Sequence, residues 1–213
     1  MAGVTVPGGD KGAVLKAFDL KTGAGKQSYK LPGEVALCND MAVAKDGTLY
    51  VSETMKSVIY RLKPGATALE QWGNDPAYAS GDSSGLDGIA IGGDGHLYVN
   101  NIRSHKLIRV AVNADGSAGK ATVLETSRTL ESPDGLRALG GLRFVQVEGT
   151  GKVAIVTVNS DKVEIETLGD GYSSPTGVDV HDGKYWFVQG EFKYLFNPQM
   201  RSQTPPPSQI IAV

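Results

Sequence analysis

Apolar and polar residues alternate in short runs along nearly the whole chain, and each run ends at a cluster of Gly, Asp, Asn, Ser or Pro. A period of two is the signature of half-buried strands bounded by turns. The clearest unit starts at residue 39. Residues 39–43 alternate, Lys45-Asp46-Gly47 turns, and residues 48–52 return as a β-branched and aromatic strand. Asp-Gly between two such runs predicts a hairpin. Residues 57–62 supply a third strand that closes at Pro64-Gly65, and 68–72 a fourth.

The same order of strands recurs from Asp87-Gly88, from Asp134-Gly135 and from Thr176-Gly177. The starts at 39, 87, 134 and 176 lie 48, 47 and 42 residues apart. Four short strands repeated every roughly 40–50 residues predict the blades of a β-propeller. The expected fold is therefore all-β, one propeller domain over 1–213 with about four to five blades. Its divisions are a half blade at 13–31, full blades at 39–72, 87–126 and 134–168, and a last blade at 176–213. Residues 74–85 read as a loop, and no amphipathic helix of any length is expected. The half blade resembles outer strands with no inner pair before it, so the sequence reads as starting inside a blade. An open arc leaves two exposed edges. It must close as a small ring, pair with another copy of itself, or be a piece of a longer parent.

Composition narrows the function classes. Of 213 residues, 40% are hydrophobic and 21% charged, ordinary values for a globular domain. With 21 basic against 23 acidic side chains, the net charge of −2 offers no footprint for nucleic acid or an anionic membrane. The single cysteine, Cys38, excludes an internal disulfide and a cysteine-based zinc cluster, and reads as a small buried hydrophobe. No run approaches the roughly 18 apolar residues of a membrane span. Residues 1–12 lack the charged head and apolar middle of a signal peptide. The expectation is a soluble chain, cytoplasmic as written, whose longer parent could be exported.

The candidate chemistry sits at the starts of the inner strands. If every inner strand begins at the same end of the channel, Asn39, Asp87, Asp134 and Thr176 face one axis. The first three are hard oxygen donors suited to Ca²⁺ or Mg²⁺, and two convergent carboxylates repel each other without a cation. The competing reading is turn chemistry, since Asp-Gly also occurs at Asp46, Asp94, Asp115, Asp170 and Asp182. Asp87 and Asp134 differ because each precedes an inner strand. His96, His105 and His181 lack metal-pair spacing, no Gly-x-Ser-x-Gly elbow is present, and Gly92-Gly93-Asp94-Gly95 joins two strands instead of opening a helix. Trp72, Trp186, Tyr98 and Tyr185 read as blade-packing aromatics.

Cys38-Asn39-Asp40-Met41 with Asp46-Gly47-Thr48-Leu49-Tyr50, Leu86-Asp87-Gly88-Ile89 with Gly95-His96-Leu97-Tyr98, and Ser132-Pro133-Asp134-Gly135-Leu136 resemble the senescence-marker-protein/gluconolactonase-like six-bladed propellers. Paraoxonases are more distant. The resemblance runs from about residue 14 to 213 and implies a lactone or ester hydrolase working around a divalent cation, calcium first, with Mg²⁺, Mn²⁺ or Zn²⁺ as alternatives. It places Asp134 on the family's Asp ligand, which also takes a proton from water, and Asp87 on its Asn ligand. Asn39 falls on an additional Asn beside the substrate or metal. The blade that bears the family's Glu ligand has no counterpart in this sequence. The implied partner is a small lactone or ester. The alternative is a non-catalytic scaffold or ligand-binding module that self-associates through open blade edges.

Overall fold

The computed structural model describes residues 12–79 and 84–213. Most of the stretch read for an export signal, residues 1–11, lies outside them. The strands pair mainly with their sequence neighbours, so the chain lays down one antiparallel sheet after another. A two-stranded sheet, β1 (Val14–Phe18) and β2 (Gly25–Lys30), comes first. Blade one is β3 (Cys38–Val43), β4 (Leu49–Glu53), β5 (Val58–Leu62) and β6 (Glu70–Gly73). Blade two is β7 (Leu86–Ile91), β8 (Leu97–Asn101), β9 (Lys106–Val112) and β10 (Ala118–Val123).

Blade three takes β11 (Glu125–Thr126) onto its outer edge, beside β12 (Pro133–Gly140), β13 (Arg143–Glu148), β14 (Lys152–Asn159) and β15 (Lys162–Gly169). Blade four has β16 (Pro175–His181), β17 (Lys184–Gln189) and β18 (Ile210–Ala212). Residues 125–126, expected at the end of blade two, thus pair in parallel with β15 of the next blade. A 3-10 turn, Pro76–Tyr78, interrupts the 74–85 loop, whose residues 80–83 are outside the described set. A single helical turn, α1 (Lys193–Phe196), lies in the β17–β18 connection.

The turns follow from side-chain chemistry. At the β3–β4 hairpin Asp46 Oδ1 accepts from Thr48 N at 2.9 Å, and Gly47 takes φ +87°, which any other residue adopts under strain. Strand alternation then sends successive side chains to opposite blade interfaces. Val51 packs toward β1–β2 with Leu15 and Leu31, while Tyr50 packs toward blade two with Trp72, Leu86 and Ile89. Tyr98 repeats this toward blade three, its ring 4.7 Å from that of Phe144. Val145, Val147, Val178 and Phe187 join blades three and four. The core is a series of layers between blades, as a propeller requires.

Candidate functional site

Each inner strand breaks its ladder at the same place. The register shifts between Cys38 and Met41, between Leu86 and Ile89, between Pro133 and Leu136, and between Pro175 and Val178. The residues freed by these bulges are 39–40, 87–88, 134–135 and 176–177, the expected site positions. A bulge releases side chains from the pleat and re-aims them, and bulges recur beside active sites.

The glycines after Asp87 and Asp134 are not turn residues. A Cβ at Gly88 would lie 2.2 Å from the Asp134 carbonyl oxygen and 2.7 Å from Leu136 N, and one at Gly135 would lie 2.6 Å from the Thr176 carbonyl. Inner strands of adjacent blades touch backbone to backbone there, and only glycine permits the approach. That contact brings the candidate side chains together.

Asn39 Nδ2 donates to Asp87 Oδ2 at 2.9 Å and to Thr54 Oγ1 at 3.0 Å. Its nitrogen is committed, so its carbonyl oxygen is the atom left for a cation or substrate. The Asp87 and Asp134 carboxyls face each other closely enough to share a proton. Asp87 is 4% exposed, and its Oδ1 is buried without a hydrogen-bond partner among the described residues. Burial pushes its pKa up to about 7. Asp134 keeps partial contact with solvent, yet burial and the charge of Asp87 raise it well above the usual carboxylate range. Such a pair titrates as a unit. Thr176 reaches the equivalent position on blade four.

Two charged residues that sequence reasoning passed over complete the surroundings. Arg137 of β12 binds Asp40 of β3 through two hydrogen bonds, at 2.6 and 3.0 Å, joining blade one to blade three. Asp40 Oδ2 also accepts from Ile89 N of blade two at 3.1 Å. Three blades therefore converge on one carboxylate beside the acid pair. Ser52 and Thr54 donate to the carbonyls of Asp87 and Leu86, fastening β7 to blade one.

Other candidates are structural. His96 Nδ1 accepts from Val112 N, His105 Nδ1 accepts from Ser132 N, and His181 is exposed. Glu53, Asn101, Glu148 and Gln189, at the ends of the second strands, accept backbone N–H groups of nearby loops. Trp72 packs edge-on against Tyr50, whereas Trp186 is 37% exposed.

Among the described residues no group of three or more His, Cys, Asp or Glu side chains has metal-site geometry. A cation here would rest on a mixed set of two carboxylates and one amide. The orphaned Asp87 oxygen, the facing acid pair and the all-oxygen chemistry fit a hard divalent cation.

The sheets define blades of a β-propeller, and solved propeller structures share the fold. Virginiamycin B lyase from Staphylococcus aureus superposes with a TM-score of 0.61 at 17% identity, over 81% of this chain and 54% of that one. A gluconolactonase from Xanthomonas campestris gives 0.61 at 19% identity, over 86% and 64%. Regucalcin, a calcium-binding protein from Agrobacterium tumefaciens, gives 0.60 at 20% identity, over 89% and 67%. The chain thus spans little more than half the length of the lyase. The resemblance to gluconolactonase-like propellers holds for the fold. No protein-family model and no curated protein sequence matches the chain. No described helix is long and apolar enough to cross a membrane.

Proposed function

We propose that this chain carries the cation-binding end of a hydrolase for lactones or related esters, with Asn39, Asp87 and Asp134 as protein ligands and calcium as the preferred ion. The observation behind it is the enclosed Asp87–Asp134 pair, held face to face at bulges of adjacent inner strands. Two acids gathered in this way are unfavourable unless a proton or a cation lies between them. Gluconolactonase and calcium-binding regucalcin among the similar structures support the reading.

A bound divalent cation supplies charge compensation and Lewis acidity toward a carbonyl oxygen. The chain's own residues divide the remaining work. Asp134, the more solvent-accessible acid, is placed to take a proton from an attacking water. Asp87, deeper and hydrogen-bonded by Asn39, would be the fixed negative charge once a cation replaces the proton that its raised pKa retains. The Asp40–Arg137 pair braces the strands that carry them. Calorimetric titration with calcium, with Asp134→Ala as control and a panel of aldonolactones and aryl esters as substrates, tests this. Saturable binding lost in the variant is expected; no binding by either protein removes the reading.

A second reading has its own observation. Val180, Trp186 and Ile210 of blade four are 37%, 37% and 69% exposed. A non-catalytic module that self-associates through this blade would cover them. Light scattering after size exclusion separates the two: a dimer that binds no calcium favours the scaffold, and a calcium-binding monomer favours the hydrolase.

A further inference from the structure

The second strand of each blade turns one residue toward the preceding blade, opposite residues 41, 89, 136 and 178. In blades one, two and four that residue is Val51, Val99 or Phe187, each buried among apolar side chains. Blade three puts Gln146 there. It is 0% exposed, and neither its Oε1 nor its Nε2 has a partner among the described residues. A buried carboxamide at a repeat position that is otherwise apolar breaks the local pattern, and such breaks collect at functional sites.

Across the interface, Asn100 follows Val99 on β8 and so turns the opposite way, toward blade three. It too is 0% exposed. Its Nδ2 donates to the Asp134 carbonyl oxygen at 2.8 Å, and its Oδ1 is unpartnered among the described residues. Next to Gln146 on β14 stands Ala154, where the other blades carry Tyr60, Ile108 and Ile211. It is the smallest side chain at this position in the four blades. Acceptor, acceptor and donor are the groups that a buried water satisfies.

We propose that Gln146 and Asn100 enclose bound water between blades two and three, and that this hydrated pocket holds Asp134 in the orientation the site needs. Gln146 is then a positioning residue. With its amide reversed, Asn100 would set its oxygen against the Asp134 carbonyl, acceptor against acceptor. Water donating to Asn100 Oδ1, itself held by Gln146, fixes the orientation in which Nδ2 supports Asp134. In blade one the Ser52 hydroxyl makes the matching contact to the Asp87 carbonyl while accepting from Asp40 N, so protein groups alone orient it.

The positioning role rests on the cation-site reading above, but the water does not. A high-resolution crystal structure of the cation-free protein should show density bridging Asn100 Oδ1 and the Gln146 amide. Gln146→Leu restores the apolar character of the other blades. It should melt at the same or a higher temperature while binding calcium at least tenfold more weakly. A merely structural glutamine would not split those two readouts. Gln146 paired with protein groups in a dry interface overturns the pocket, whether or not the variant folds. Gln146→Leu binding calcium as tightly as the parent overturns the positioning role. If the parent takes up no calcium, the cation-site reading fails and the positioning role with it, while the density still decides the pocket.

Discussion

Replacing Asp134 with asparagine should make the cation-free protein more stable, and only above acidic pH. Burial raises Asp87 from 3.8 to about 7, and Asp134 is raised by burial and by Asp87. The folded chain therefore keeps a proton that the unfolded chain releases. Stability from this source is complete below about pH 4 and is lost as pH rises toward about 7. At about 1.4 kcal/mol per pH unit, the total is roughly 4 kcal/mol. The substituted amide would still offer Asp87 a donor but removes one acid of the pair. Asp87 keeps its own cost, since burial raises it and the Asp134 contact only lowers it; what returns is the cost of Asp134's own raised titration, a gain on the order of 2 kcal/mol at pH 8 and none at pH 4. For a chain of this size that is roughly 4–8 °C in Tm. Calorimetric melts in chelator at pH 4, 6 and 8 measure it. Calcium should reverse the order, since a ligand at a hundred times its Kd stabilises the parent by about 2.7 kcal/mol. A variant that is less stable than the parent at pH 8 in chelator, or that shows the same pH slope, refutes the shared-proton account.

Three other perturbations probe separate links. Gly88→Ala drives a Cβ into the Asp134 carbonyl and should cost about 3 kcal/mol in denaturant unfolding, whereas Gly177→Ala meets nothing within 4 Å and should stay within about 0.5 kcal/mol. Arg137→Met leaves Asp40 unpaired; with Arg137 part-exposed, the loss should be about 2 kcal/mol. The same variant should bind calcium more tightly in titration, because Asp40 acts on both site acids. The Cys38 thiol is pushed up to about 11 by burial, with Asp40 and Glu53 adding to it. It should resist a thiol reagent at pH 8 until denaturant is added.

Hairpins and blades were legible because their determinants are local: period-two alternation, an Asp-Gly turn, a fixed repeat. Nearest-neighbour pairing follows from these. The transfer of Glu125–Thr126 to blade three was not legible, because its partner Lys162–Val163 lies beyond three intervening strands of that blade. At the site, Asn39, Asp87 and Asp134 could be chosen by their shared phase in the repeat. The reason for Gly88 and Gly135 could not: the sequence shows only Asp-Gly, and the constraint comes from a neighbouring strand. Asp40 and Arg137 meet across 97 residues, joining blades that are not sequence neighbours. Gln146 did leave a signal, a polar residue on the buried phase of an alternating strand.

Anomalous diffraction from crystals soaked in manganese tests the central claim most directly. A single peak bounded by the oxygens of Asn39, Asp87 and Asp134 is the expected result. A map without density between the two acids, or with manganese bound only elsewhere, would contradict it.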